Sequence, residues 1–411
     1  MRKLAISGGE PIRTKGWRTW PIKGEREEEL LLQALRSGDW AAGNRPMEEE
    51  FCQKFAAFSR ANHCVCLMNG TVTLQLALEA LDIGAGDEVI VPGYTWQATA
   101  AACLDVNAIP IIVDVDPETY CIDPVLVEAA ITPRARAIIP VHLYGSMADM
   151  DRIMEIARRH DLKVVEDCAQ THGSRWREMG AGVIGDIGSF SMQHSKVITS
   201  GEGGVCLTND DNLYDRLCAL RHCGRPRQGE VSPIQSGNYR MTEFQAAVLL
   251  AQLERLEDQT NRRDENAIYL NSRLSEIPGI KPMLRRPQVT RQAYFSFVFR
   301  YDPDVWGAPR RAFLQALAAE INLGPWIIFE PLNKATLYNP QTKKRHHWSE
   351  EYWQAIDPSR FQLPVCERAY HMECAAFHHP FLLGAKTDMD DFANGVAKVY
   401  ENREELKDVR M

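Results

Sequence analysis

From Cys64 to Asp167 short runs of apolar, β-branched residues alternate with stretches of helical period. The runs are CVCLM (64–68), EVIV (88–91), IPIIVDV (109–115), ARAIIPV (135–141) and LKVVED (162–167). Between them Thr73–Leu81, Ala98–Leu104, Pro124–Ile131 and Met147–His160 carry the helical pattern. Buried strands separated by helices predict right-handed crossovers and a mainly parallel sheet covered on both faces, an α/β fold. Ahead of the alternation, EREEELLLQALR (25–36) places acids first and Arg36 last, as a helix dipole favours, with Gly38 as a stop, and Met47–Phe58 predicts a second helix. From Glu254 the pattern changes to a long helical stretch, a strand-like YFSFVFRY (294–301), an amphipathic helix near Arg311–Glu320 and a closing helix over Asp388–Tyr400. The expected organisation is an N-terminal arm and large ligand-binding domain over 1–255, followed by a smaller α+β domain over 256–411.

Length and charge narrow the function. A chain of 411 residues is long enough for two domains, and a net charge of −8 argues against nucleic acid and against an anionic membrane surface. The eleven cysteines are scattered and odd in number, a pattern of reduced thiols rather than of a secreted framework. No apolar run approaches the ~20 residues that span a bilayer, and the N-terminus has no signal-peptide core, so a cytoplasmic protein with small-molecule partners is expected. Cys64 and Cys66 share a strand face, but no paired CxxC or HxxxH spacing occurs, so no metal is expected.

In such sheets ligands bind beyond the carboxyl ends of the strands, so the residues following each run are the candidates. NGTVT (69–73) opens a helix: Gly70 lets backbone approach a ligand, Thr71 offers a hydroxyl, and the first N–H groups suit a phosphate, although a plain N-cap uses the same letters. In GYTWQAT, Trp96 is placed either to stack on a flat ring or to fill core. Asp167 ends an apolar strand and needs a partner, which a protonated ring nitrogen would supply, while Glu166 faces the other way by strand alternation. Gln170 and His172 follow in the turn, Gln170 as a donor to a ring oxygen. Ser191 precedes Lys196 by five residues and could join a phosphate site, and Asn238 either caps the next helix or contacts phosphate. The basic run KKRHH (343–347) is either a solvated loop or a cover over an anion.

Lys196 lies in SFSMQHSKVITSGEGG (189–204), between a strand-like segment and a glycine-rich turn, where its amine can be held and desolvated for Schiff-base chemistry. A phosphate cradle, an indole, a carboxylate for a ring nitrogen and a lysine are together the parts of a pyridoxal phosphate site. NGTVTLQLAL, PGYTWQATA, VEDCAQTHG, GDIGSFSMQHSKVITSGEGG and NYRMTEFQAA, in this order, resemble the DegT/StrS aminotransferases, fold-type I pyridoxal phosphate enzymes. The resemblance implies that Lys196 bonds the cofactor and then moves a proton, Asp167 holds the pyridine nitrogen, Trp96 stacks on the ring and Gln170 lies near its hydroxyl. Thr71, Ser191 and the N–H groups around Gly70 and Val72 would hold the phosphate. It further implies a homodimer with shared sites, in which Asn238 reaches the neighbour's phosphate. Lysine at 196, where some relatives have histidine, favours transamination over dehydration. The opening GGEPIRTKGW and the stretch from 339 to 380 resemble the branch that uses L-glutamine and keto-cyclitols such as scyllo-inosose, in aminoglycoside-type biosynthesis. Aminohydroxybenzoate synthases, nucleotide-sugar aminotransferases and a catalytically silent regulator of the same fold are the alternatives.

Overall fold

The five apolar runs become five strands of one sheet in a computed structural model that describes residues 3–40, 46–227, 233–343 and 349–409. They are β1 (His63–Leu67), β2 (Glu88–Pro92), β3 (Ile109–Val113), β4 (Ala135–Ile138) and β5 (Lys163–Asp167), joined by β6 (Ile187–Ser191) and β7 (Gly204–Thr208). Among the described residues the sheet has seven strands in the order β1-β7-β6-β5-β4-β2-β3. All paired neighbours from β3 to β6 run parallel, and β7 is antiparallel to both β6 and β1. The apolar pattern did not single out β7. Its chain returns directly from the end of β6 through the glycine-rich turn, where Gly201 has φ 85 and the Met192 N–H donates to the Gly203 carbonyl at 2.8 Å. An antiparallel neighbour needs no helical crossover, so the strand escapes the alternation.

Helices α1 (Glu25–Ser37), α2 (Pro46–Ser59), α3 (Gly70–Ala80), α4 (Ala98–Asp105), α5 (Pro124–Ala129), α6 (Met150–His160), α7 (Asp211–Arg221) and α8 (Glu243–Leu253) accompany this sheet. Their starts follow local chemistry. Asn69 caps α3 by accepting the Val72 N–H at 2.9 Å, so the helix begins at Gly70, three residues before the apolar period does. α1 opens on Glu25, Glu27 and Glu28 and ends at Gly38, which takes the left-handed conformation with φ 75. β2 to β7 are lined by side chains such as Val89, Ile90, Val91, Ile138, Val164, Val165 and Leu207, each fully buried. Every such aliphatic side chain contributes about 1.5–3 kcal/mol from the area removed from water.

A second apolar core lies around α9 (Leu256–Leu274), α10 (Arg310–Ile321) and α11 (Lys386–Glu401). These pack on an antiparallel sheet of β8 (Ile280–Pro282), β9 (Ser296–Tyr301) and β10 (Cys374–His378), in that order. Phe297, Phe299, Phe313, Phe377, Phe381 and Phe392 fill it. The N-terminal arm packs here. Leu4 is buried in this core, and Arg13 pairs with Asp388 and Asp391 at 2.7 Å each. The polar stretch 336–360 holds short helical turns at Pro340–Thr342, Glu350–Ala355 and Pro358–Arg360. Its Tyr338 and Ile356, with nearby Leu332 and Leu363, are buried against the core of the main sheet. Of the basic run 343–347 only Lys343 lies within the described residues. Among those residues no helix is long and apolar enough to cross a membrane.

Candidate active site

One cavity of about 840 Å³ opens at the carboxyl ends of the strands, lined by the start of α3, the start of α4, the turn after β5 and the loop between β6 and β7. Gly70, Thr71, Val72, Trp96, Asp167, Gln170, Ser191 and Lys196 all line it. Asn238 does not. It lies on the surface, bridged to His222, and its Oδ1 accepts the Arg240 N–H at 3.4 Å.

The phosphate-like end is built by a close approach. A Cβ on Gly70 would come within 2.5 Å of the Ser191 Cβ, so α3 can meet the end of β6 only where position 70 has no side chain. Ser189 and Thr73 fasten the same junction, their hydroxyls 2.6 Å apart. The Val72 N–H is committed to Asn69, which leaves the N–H groups of Gly70 and Thr71, the first two helical residues, without an intrahelical acceptor. The helix start therefore offers two N–H donors and the hydroxyls of Thr71 and Ser191 around one point.

At the other end Asp167 is 5 % exposed. Its Oδ2 accepts the Thr99 hydroxyl at 2.9 Å and its Oδ1 the Ala169 N–H at 3.2 Å, and among the described residues it has no ion pair. Burial pushes its pKa up, against the opposing pull of those two donors and of Lys196. Gln170 accepts the Tyr144 N–H through Oε1 at 2.6 Å, which fixes its amide orientation and makes its NH₂ group the remaining donor. His172 is fully buried, donates through its Nε2–H to the Ser191 carbonyl at 2.9 Å, and is held neutral by burial, its pKa lowered to about 3. The Trp96 indole is 48 % exposed, an unusual position for a large aromatic ring and one that leaves a face for a planar ligand.

Lys196 is held between these ends. Val197 and Ile198, 1 % and 0 % exposed, anchor the loop, and the Lys196 Nζ lies 4.6 Å from the centroid of the Phe295 ring. Burial lowers its pKa to about 8, partly countered by Asp167. Near pH 7.5 roughly a quarter of the amine is then neutral, against about one part in a thousand for an ordinary lysine. The loop is braced from outside by groups far away in sequence. Both His378 and His379 reach the Ser195 carbonyl through Nε2, at 3.0 and 3.2 Å, and the Trp20 indole donates to the His194 carbonyl at 3.1 Å. Trp326 stacks on His378 with ring centroids 3.9 Å apart.

The sequence reading missed Thr99, Phe295, Trp326 and the ion pair between Lys343 and Asp105 that lines the cavity. Thr99 lies inside the quoted PGYTWQATA, so its hydroxyl was a visible signal; Phe295 and Trp326 come from segments whose place over the cavity no local pattern reveals. Gln193, beside the lysine, also lines the cavity, and its Oε1 accepts the Ser195 N–H and hydroxyl at 2.9 and 2.8 Å.

The profile of the DegT/DnrJ/EryC1/StrS aminotransferase family matches residues 21–367. The chain belongs to that family. It is an aminotransferase of fold type I, and its mostly parallel sheet with covering helices agrees with that fold. The L-glutamine:2-deoxy-scyllo-inosose aminotransferase of Streptoalloteichus tenebrarius is 42 % identical to it over 98 % of this chain and 99 % of that protein. The L-glutamine:scyllo-inosose aminotransferase of Streptomyces griseus is 41 % identical, with coverage of 98 % and 99 %. A crystal structure of 3-amino-5-hydroxybenzoic acid synthase superposes with a TM-score of 0.82 at 30 % identity, covering 94 % of this chain and 99 % of that one.

Proposed function

We propose that this aminotransferase uses pyridoxal phosphate to move the amino group of L-glutamine to scyllo-inosose or its 2-deoxy relative, in the biosynthesis of an aminoglycoside-type product. The similarity over nearly the full length of two enzymes so named supports the substrate pair, and the meeting of Lys196 with Asp167 in one cavity supports the chemistry. The cavity suits the cofactor on its own features. A buried carboxylate without an ion pair among the described residues suits a protonated ring nitrogen, and the α3 start, which meets β6 closely because residue 70 is glycine, suits a phosphate.

When bound, pyridoxal phosphate acts as an electron sink for a carbanion at the substrate carbon. The residues of this chain do the rest. Asp167, positioned by Thr99 and the Ala169 N–H, would keep the ring nitrogen protonated, and Gln170 would donate to the ring oxygen. Thr71, Ser191 and the N–H groups of Gly70 and Thr71 hold the phosphate, with Val72 held back by its bond to Asn69. Lys196 would hold the cofactor through its neutral amine and would move a proton at the substrate carbon as general base and acid. Trp96 covers one ring face.

In this reading residues 1–255 hold the cofactor and 256–411 form the smaller domain beside it. The protein works in the cytoplasm as a homodimer, in which Asn238 of each chain serves the phosphate of its neighbour. A nucleotide-linked keto-sugar is the less favoured acceptor: the described lining contains two cations, Lys196 and Lys343, and Lys343 is engaged by Asp105, which suits a neutral polyol better than a diphosphate.

The test is the visible spectrum of the cofactor-loaded protein. L-Glutamine should bleach it, and scyllo-inosose or 2-deoxy-scyllo-inosose should restore it with release of the aminocyclitol. Restoration only by a nucleotide-linked keto-sugar would move the substrate assignment, and no response to L-glutamine would remove the donor.

A further inference from the structure

Helix α2 and strand β1 bring three thiols together away from the catalytic cavity. Cys52 Sγ and Cys66 Sγ are 3.4 Å apart, and Cys64 projects from the same face of β1 as Cys66 by the two-residue period. Cys66 is 0 % exposed and Cys64 7 %, whereas residue 52 is only partly buried. Arg221, at the end of α7, lies over the cluster: its Nη1 donates to Glu48 of α2 and, at 3.4 Å, to the Cys66 carbonyl. None of these groups takes part in the amino-transfer reading, and the inference below does not depend on it.

We propose that Cys52 and Cys66 form a reversible oxidation site, a dithiol that peroxide converts to an intramolecular disulfide. The sulfurs must close from 3.4 Å to the ~2.05 Å of a covalent S–S bond. The reactive partner is Cys52. Hydrogen bonds from the Cys64 and Cys66 thiols, aided by the Arg221 charge, hold its pKa below the ordinary thiol range. Cys64 is pushed up by burial, and Cys66 by its bond to Cys52, so these two stay protonated. A thiol of lowered pKa beside a protonated resolving thiol is the arrangement that redox-active pairs share.

The chemistry balances with hydrogen peroxide as oxidant. The Cys52 thiolate sulfur attacks one peroxide oxygen; the O–O bond breaks, leaving a sulfenic acid on Cys52 and hydroxide, which is protonated to water. The Cys66 sulfur then attacks the Cys52 sulfur; the S–S bond forms, the S–O bond breaks, and a second water leaves with the Cys66 proton. The two sulfurs together give up two electrons, and the peroxide accepts them.

The experiment uses the full-length protein, reduced, treated with stoichiometric hydrogen peroxide, alkylated and digested. The expected result is a peptide pair linked through Cys52 and Cys66, an intact mass lower by about 2 Da, and full reversal by dithiothreitol. Cys66→Ser should strand Cys52 as a sulfenic acid that dimedone captures, and Cys64→Ser should still give the Cys52–Cys66 link but form it more slowly; circular dichroism of each variant shows that it folds. Oxidation at exposed Cys223 with Cys52 untouched would overturn the proposal. A Cys52–Cys64 link would do the same. Stoichiometric zinc retained by the untreated protein and lost in Cys52→Ser would overturn it as well, assigning Glu48, Cys52 and Cys66, whose donor atoms lie within 4.8 Å of one another, to a cation.

Discussion

Glu166 and Asp167 end the same strand, are both buried, and face opposite sides of the sheet, yet their surroundings differ in kind. Glu166 accepts the N–H groups of Gly182, Ile184 and Gly185 at 3.0, 2.7 and 2.7 Å and meets His142 Nε2 at 3.0 Å, so its oxygens are fully used within the chain. Asp167 accepts one hydroxyl and one N–H and looks into a cavity. Glu166 fastens the turn that leads into β6. Asp167 keeps acceptor capacity on the cavity side. Two carboxylates one residue apart thus separate structure from chemistry, and the difference lies in the donors around them rather than in depth, since they are 0 % and 5 % exposed.

The comparison breaks most sharply at Asp167. Asp167→Asn should lower kcat about 10²- to 10³-fold in the coupled glutamine assay, because the ring nitrogen loses its anion. The same change should not destabilise the cofactor-free protein. Burial raises the Asp167 pKa, so the unfolded chain releases this proton at lower pH than the folded one, and stability falls as pH rises through that window; the amide removes the fall. Urea unfolding at pH 7 should show the variant at least as stable as the parent.

Glu166→Gln should do the reverse. An amide places its NH₂ against N–H donors and leaves part of the Gly182–Gly185 turn unsatisfied, costing about 2–4 kcal/mol in urea unfolding, with kcat of the folded fraction changed by no more than a few-fold. If Glu166→Gln proved the more damaging to kcat, the two roles would have to be exchanged. The smallest effect belongs to Thr99→Val. Losing one hydrogen bond of about 1 kcal/mol should push the Asp167 pKa further up and weaken cofactor binding about fivefold by fluorescence titration, leaving stability close to that of the parent.

Much of this was legible in the chain because each apolar run and each cap is a local signal. The runs at 88–91 and 162–167 became β2 and β5 with ends shifted by one residue, and the NGTVT cradle sits at the start of α3 as its letters suggested. What was not legible depends on distant partners. β7 has no helical crossover to announce it. The brace on the lysine loop joins His378 and His379 to Ser195 across more than 180 residues. The buried set of Glu166 shows only once the Gly182–Gly185 turn folds back beneath β5, whereas strand alternation had already turned it away from the cavity.

The most direct measurement follows the attachment of pyridoxal phosphate to the cofactor-free protein across pH, fixes the product with borohydride and maps the labelled peptide. The rate should rise with pH through a midpoint near pH 8 and level off about one unit above it, with the label on Lys196 and none in Lys196→Ala. Asp167 raises the Lys196 pKa, so Asp167→Asn should move the midpoint to lower pH. A label on another lysine, or a rate still climbing toward pH 10 as for an ordinary solvated amine, would contradict the account.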